Sequence, residues 1–278
     1  MMDEYIQQLV KKSTRVIPQN NDDYFKDGLL YCGKCNTPKQ GVFTLNGKEI
    51  KPNILCECAT RKRDEEERKA KEIKKMDYIS FLKRTGIQDK KLLSYSFDTD
   101  NMPDSKHSKA FRRYCDKWRE MKEKNIGLIL MGDCGTEKSF YSGCIANEII
   151  SRYMTDVIAT SIPRILNQLF SCESKNSYIK KMADVSLLLI DDLGTERQTD
   201  YALEQVYTVI DERYKAEKPL IITTNLTYSE LKNPTDIRYK RIYDRIIEMC
   251  VPFNLMGISH REEKASKKKQ VAKSLLFD

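Results

Sequence analysis

From about residue 93 onward, short apolar runs alternate with stretches of helical periodicity. The runs are Leu128-Ile129-Leu130-Met131, Val157-Ile158-Ala159-Thr160, Leu187-Leu188-Leu189-Ile190 and Leu220-Ile221-Ile222-Thr223-Thr224. Between them lie helical patterns from Lys138 to about Tyr153, over 162–182 and over about 199–216. Strands apolar on both faces and separated by helices predict a parallel sheet covered on two sides. The expected fold is a doubly wound α/β domain. The chain before it has a different character. Residues 1–58 hold a short helix candidate from Asp3 to about Lys12, then four clustered cysteines and a strand-like piece, Gly41-Val42-Phe43-Thr44-Leu45. Residues 59–92 read as a charged helix followed by a polar stretch, and 266–278 as a basic tail. The expected organisation is a small domain over 1–58, a helical linker over 59–92, the α/β domain over 93–265 and the tail. No internal repeat is visible.

Composition narrows the class. The 278 residues include 49 basic and 41 acidic ones, a net charge of +8, with 11 Gly and 8 Pro. Collagen-like and Gly/Pro low-complexity chains are excluded. No run of about 18 apolar residues is present, so no membrane span is expected. The first residues, MMDEYIQQLVKKSTR, carry no apolar signal core, and a cytoplasmic protein is expected. Nine cysteines, an odd number, argue against a disulfide framework. Five of them, Cys115, Cys134, Cys144, Cys172 and Cys250, are scattered and read as buried or indifferent thiols. Charge is concentrated in 61–75 and in the tail; a solvated helix and a frayed end are the plain readings, with phosphate binding by the tail as the alternative.

Candidate chemistry follows the first apolar run directly, in Gly132-Asp133-Cys134-Gly135-Thr136-Glu137-Lys138-Ser139. A strand, a glycine-bearing turn and a helix form a phosphate cradle. The backbone N–H groups around Gly132, Gly135 and Thr136 and the helix N-terminus face the anion. Lys138 reaches the β and γ phosphates, and the Ser139 hydroxyl ligates Mg²⁺. The pattern G-x-x-x-x-G-K-[ST] is met everywhere except at Glu137, where glycine is expected. Glu adds a Cβ where the backbone needs freedom and a carboxylate beside a polyanion, a repulsion on the order of a few kcal/mol in a partly buried site. The third apolar run ends in Asp191-Asp192, the form of a Walker B strand. Asp191 would hold Mg²⁺, and Asp192 would orient or deprotonate the attacking water. Many ATPases have Glu at the second place, so Asp192 implies slower hydrolysis. Asn225 closes the fourth run, where it could hydrogen-bond the γ-phosphate or the water, or cap a turn. Arg238, Arg241 and Arg245 follow, and then Arg261. Charge stabilisation at a γ-phosphate is arginine chemistry.

In this order and spacing, residues 132–150, 187–196, 222–227 and 241–261 resemble AAA+ ATPases, and more narrowly the DnaC/DnaI/IstB group of helicase loaders and transposition helpers. The resemblance covers about 93–265. It implies an AAA+ P-loop sheet flanked by helices, with Lys138 and Ser139 as the Walker A pair and Asp191 and Asp192 as Walker B. It further implies Asn225 as sensor 1, Arg245 as an arginine finger acting on a neighbouring subunit, with Arg241 as the lesser candidate, and Arg261 as sensor 2. The implied cofactors are ATP and Mg²⁺. The implied partners are a replicative hexameric helicase, single-stranded DNA and further copies of the chain. Position 137 leaves a nucleotide-insensitive adaptor as an alternative, and an IstB-like transposition helper is another.

The cysteine cluster, Cys32-x-x-Cys35 and Cys56-x-Cys58, can present four thiolates to Zn²⁺, with Lys34 and Lys51 offsetting their charge. A region this short has a limited core, which a metal would supplement. An iron–sulfur cluster uses the same ligand count; a redox pair lacks the strand–C-x-x-C–helix pattern. The resemblance makes this segment the helicase-docking domain and favours a loader over a transposition helper. Among other residues, His107 and His260 read as surface histidines, and Phe111 and Trp118 as core. Tyr95 and Phe97 read either as adenine contacts or as packing.

Overall fold

The computed structural model describes residues 20–45, 47–194, 199–255, 268–273 and 275–276. The helix candidate at Asp3 to Lys12 lies outside them. The chain divides into two compact units, Met1–Met76 and Asp77–Asp278. No helix among the described residues is long and apolar enough to cross a membrane.

The first unit is built from two antiparallel hairpins. Strands β1 (Tyr24–Lys26) and β2 (Leu29–Tyr31) are joined through Asp27 and Gly28. Both turn residues are left-handed, with φ of 49° and 74°, as a two-residue hairpin matched to strand twist requires. Strands β3 (Phe43–Leu45) and β4 (Lys48–Ile50) form the second hairpin, of which β3 lies within the strand-like piece the pattern predicts. Helix α1 (Glu57–Gly86) starts here. Its opening turns are laced by i,i+4 pairs such as Arg61–Glu57 and Lys69–Glu65, and its residues over 61–75 are solvent-exposed, the plain reading of that charge run. Its last turns, which bury Ile79 and Leu82, belong to the second unit.

The second unit is a five-stranded parallel sheet in the order β6-β7-β8-β5-β9, with helices on both faces. The strands are β5 (Gly127–Met131), β6 (Val157–Ser161), β7 (Leu187–Leu193), β8 (Leu220–Thr224) and β9 (Cys250–Asn254). Alternate residues of each run enter opposite cores. Leu128, Leu130, Leu187, Leu189 and Ile221 pack under α1, α2 (Lys90–Ser94), α3 (Lys106–Asp116), α4 (Trp118–Glu123) and α5 (Lys138–Tyr153). Ile129, Leu188, Ile190, Leu220 and Ile222 pack under α6 (Ile162–Ser171), α7 (Lys175–Asp184), α8 (Asp200–Lys215), α9 (Tyr228–Lys232) and α10 (Ile237–Met249). Two dry faces are the physical reason that these runs carry no polar alternation. Phe111 and Trp118 lie in the first core, as expected.

Two elements depart from the pattern. The single helix expected over 162–182 is two, α6 and α7, because the backbone turns extended at Cys172 (ψ 142°) within the polar break Ser171-Cys172-Glu173-Ser174. Strand β9 was not predicted, since Cys-Val-Pro-Phe-Asn lacks a clear period. It lies at the sheet edge beside β5, where Pro252 forfeits no ladder bond that a further strand would use. The opposite edge, β6, is covered by Ile87 and Gln88, whose amide donates to Ala159 O at 3.1 Å.

Arg213 on α8 is fully buried without a carboxylate partner among the described residues. Its guanidinium donates to Ala183 O at 2.9 Å, to Met182 O and Ser186 O at 3.3 Å, and to Val185 O and Pro219 O. It thereby satisfies the carbonyls that end α7 and those that lead into β7 and β8. Burial pushes its pKa down to about 9, so it stays charged at neutral pH. Arg213→Met should lower the unfolding free energy by about 3 kcal/mol in urea denaturation, and Arg213→Lys by less, because stranded buried carbonyls dominate the loss. A loss below about 1 kcal/mol in the methionine variant would mean that water replaces the guanidinium.

Candidate nucleotide-binding site and cysteine cluster

The phosphate loop is formed where β5 ends. Gly132 has φ 145°, and a Cβ there would meet Leu255 O at 2.3 Å and Thr136 Oγ1 at 2.9 Å. Only glycine fits. Gly135 is also left-handed, at φ 93°, and the Thr136 hydroxyl closes the turn by donating to Asp133 O at 2.9 Å. Lys138, the first residue of α5, is buried, and its Nζ donates to Gly132 O at 2.7 Å and Asp133 O at 2.8 Å. The loop therefore holds its own ammonium across the cradle.

Glu137 caps α5 with φ 64° and ψ 19°, the left-handed conformation that the missing glycine would adopt freely. Its side chain makes no capping hydrogen bond, and its Oε2 is buried with no partner among the described residues. The backbone has kept the glycine shape at the expense of strain.

On β7, Asp191 and Asp192 stand beside the loop strand's neighbour, β8. The Thr223 hydroxyl donates to Asp191 Oδ1 at 2.6 Å and accepts from Asp192 N at 2.9 Å. Burial raises the Asp191 pKa; the hydrogen bonds from Thr223 and Ser139 oppose it, and the Asp192 charge adds to it. Asn225 follows β8 and is exposed. It lines a cleft of about 590 Å³ together with Gly132, Asp133, Thr227, Asn254 and Leu255. Phosphate loop, acidic strand end and Asn225 thus share the carboxyl edge of the sheet.

Two of the three described candidate arginines are tied to carboxylates of their own chain. Arg245 on α10 pairs with Asp211 at 2.6 Å, donates to the Tyr207 hydroxyl at 3.1 Å and lies 4.9 Å from the Tyr207 ring centroid and 5.7 Å from that of Tyr214. Its partners are on α8 and α10 of its own chain. Arg238 pairs with Asp236 and Asp200, whereas Arg241 is exposed and lines a groove with Leu203, Tyr207 and Ile237. Arg261 and His260 lie outside the described residues. Tyr95 is half-buried and packs edge-on against Phe140 at 5.2 Å, and Phe97 is buried beneath Arg112 at 4.7 Å. His107 is half-buried against Phe111 and Phe253, which corrects the surface reading; the rings offered an apolar seat that the local sequence does not reveal.

In the first unit the sulfurs of Cys32, Cys35, Cys56 and Cys58 all lie within 4.8 Å of one another. Cys32–Cys58 and Cys56–Cys58 are 3.6 Å and 3.4 Å apart, near the ~3.8 Å separation that tetrahedral Zn–S bonds of about 2.3 Å impose. Asn36, left-handed at φ 54°, turns the chain between the first pair and Thr37. The Thr37 hydroxyl and nearby backbone donors lower the Cys35 pKa to about 6, while the other three thiols push Cys58 up to about 12. The donor set suits one thiophilic ion. Lys34 and Lys51 do not offset its charge from within: Lys34 is exposed, and Lys51 pairs with Glu49 at 3.5 Å. The buried cation is Lys39, paired with Asp23, whose Oδ1 accepts from Gly33 N at 3.3 Å inside the first knuckle.

Comparison with known proteins supplies the lineage. The family model described as IstB-like ATP binding protein matches residues 60–268. This chain belongs to the IstB-like ATP-binding family. It is 24% identical to the replicative helicase loader DnaI of Bacillus subtilis over 94% of this chain and 90% of that protein. It is 28% identical to the replicative helicase loader DnaC of Escherichia coli K12 over 50% of this chain and 56% of that protein. A crystal structure of a putative primosome component from Streptococcus pyogenes serotype M3 superposes with a TM-score of 0.53 and 22% identity over 66% of this chain and 98% of that one. The sheet is accordingly the AAA+ P-loop fold, and the chain is homologous to the DnaI and DnaC helicase loaders.

One consequence of the loop geometry is independent of nucleotide. Glu137→Gly should raise stability by about 1 kcal/mol in chemical denaturation, since it removes a strained left-handed side chain and an unpaired buried oxygen. An unchanged or lowered midpoint would show that Glu137 is held by its surroundings.

Proposed function

We propose that this chain is an ATP-dependent loader that binds the replicative helicase hexamer and delivers it to single-stranded DNA in the cytoplasm. The observation that carries the reading is the convergence of Lys138, Ser139, Asp191 and Asn225 on one sheet edge, in a chain alike to a helicase loader from the cysteine module onward. In this reading Lys138 exchanges the carbonyls of Gly132 and Asp133 for the β and γ phosphates, and the amides of Gly135 and Thr136 cradle them. Ser139 and Asp191 would hold Mg²⁺, which supplies Lewis-acid stabilisation of the transferred phosphoryl group. Asp192 orients the attacking water and Asn225 hydrogen-bonds the γ-phosphate. For assembly, Arg241 is available to a neighbouring subunit as it stands; Arg245 reaches one only if its pair with Asp211 opens. Single-stranded DNA is supported by Phe170, 82% exposed at the end of α6 near the lysine-bearing start of α7, since exposed rings stack on bases. Residues 1–58 serve as the helicase-docking domain, with 59–92 as linker and 93–265 as the motor. Sensor 2 falls to Arg261.

The buried Glu137 oxygen favours a second reading, a nucleotide-insensitive adaptor that keeps the fold as a scaffold. Calorimetry with Mg²⁺-ATP on this chain and on Glu137→Gly, alongside binding to the purified replicative helicase of the host, separates the two. The loader reading expects both forms to bind ATP and helicase, with the glycine form about tenfold tighter or more, equivalent to 1.4 kcal/mol of removed repulsion. Binding of ATP by the glycine form alone establishes the adaptor. Binding to a transposase in place of the helicase establishes a transposition helper.

For the cysteine cluster we propose zinc, because sulfurs this close enclose a single ion and leave no room for a cluster of iron and sulfide. Mercurial titration of the full chain should release one zinc per chain to a chelating dye and unfold the first unit, whose buried residues are few. Release of iron with loss of visible absorbance would assign an iron–sulfur cluster instead.

A further inference from the structure

The β7–β8 ladder is out of register at the point where the chemistry sits. Ile190 pairs with Ile222, but the next pair is Leu193 with Thr224. Asp191 and Asp192 therefore oppose Thr223 alone, which is the two-against-one count of a β-bulge. Asp192 takes the left-handed conformation, φ 57°, to make this possible. At the bulge the Asp192 amide bonds to a side chain. Thr223 Oγ1 accepts it at 2.9 Å.

That acceptance fixes the direction of the hydroxyl. Thr223 is fully buried, and its side chain is locked in a strand between β7 and β5. With the Asp192 amide on one side, its single proton is directed to Asp191 Oδ1 at 2.6 Å. One carboxylate oxygen of Asp191 is thereby engaged by the protein itself. The neighbouring Thr224 does nothing of this kind: its hydroxyl donates to Leu193 O at 2.8 Å and accepts from Leu226 N at 3.1 Å, within the backbone.

We propose that Thr223 is a positioning residue that holds the Asp191 carboxylate in the orientation needed to ligate the divalent cation of a bound nucleotide. It acts through Asp191 and touches neither nucleotide nor metal. The assignment rests on the reading of this edge as a nucleotide site. It also ties the strand bearing Asn225 to the metal ligand, so a shift at the end of β8 is felt at Asp191 through one hydroxyl.

The test is a Mn²⁺ titration followed by electron paramagnetic resonance, on the full chain with a non-hydrolysable ATP analogue, in the wild-type and Glu137→Gly backgrounds. Metal-free binding of a fluorescent nucleotide is measured alongside. Thr223→Val keeps the shape and removes the hydroxyl; it should weaken Mn²⁺ about 10–100-fold, the usual effect of losing a partner of a metal ligand. Metal-free nucleotide binding should be unchanged. Thr223→Ser should recover the affinity to within about threefold, and Thr224→Val should leave it in place, as expected if only the first hydroxyl orients a ligand. Should the valine variant fail to fold, Thr223→Ala removes the same hydroxyl and carries the same expectation. Nucleotide binding with Mn²⁺ affinity unchanged in Thr223→Val, or equally reduced in Thr224→Val, overturns the assignment. Absence of nucleotide binding in both backgrounds overturns the nucleotide reading itself, and the role of Thr223 with it.

Discussion

Parallel pairing of β7, β8 and β5 brings three carboxyl strand ends to one edge, and the burial of both sheet faces holds them there. Each end delivers a different chemical element: the glycine turn after β5, the paired acids on β7 and the Asn after β8. Because the strands are dry on both sides, a register slip would drive apolar side chains into conflict in two cores at once. The constraint is therefore stiff, and it places Lys138, Asp191 and Asn225 at one edge. Arg213 works at the opposite end of the same strands, where it satisfies the carbonyls leading into β7 and β8.

Strain collects where that edge meets the chemistry. Glu137 and Asp192 both carry a side chain in the left-handed region, one in the loop after β5 and one in the bulge of β7. Such positions are stable only when the surroundings over-determine them. At Asp192 the Thr223 hydroxyl accepts the backbone amide at 2.9 Å. At Glu137 the carboxylate has one buried oxygen without a partner among the described residues, and it adjoins the lysine that must meet phosphate. The same backbone conformation is thus well supported in one place and poorly in the other.

The two units are stabilised differently. The sheet domain has a continuous core on each face, whereas the first unit buries Cys32, Cys56 and Lys39 and leaves Phe25, Val42 and Phe43 exposed. Four converging sulfurs and a buried Asp23–Lys39 pair take the place of a core. That pair braces the first knuckle through the Gly33 amide, and its burial keeps it out of competition with water.

Much was legible in the sequence. Apolar runs of four or five residues named four of the five strands, because a strand buried on both faces cannot carry polar alternation. The Gly132 and Gly135 turn, the acids closing β7 and the Cys spacings were readable because each chemistry needs fixed residue types at fixed short separations. What lay beyond reach were partners distant in the chain. Strand β9, with Pro252, became a strand only because β5 offered an edge; the break at Cys172 followed local polarity that a helical period masks. Arg245, read as a finger for a neighbour, is held by Asp211 and two tyrosines from α8, and the first unit buries Lys39, not Lys34 or Lys51. Short-range pattern determined which elements form and which residues carry chemistry. Tertiary packing alone decided which charges are paired, which hydroxyl meets Asp191 and where the left-handed strain is offset, since burial and hydrogen-bond direction depend on neighbours that local order does not encode.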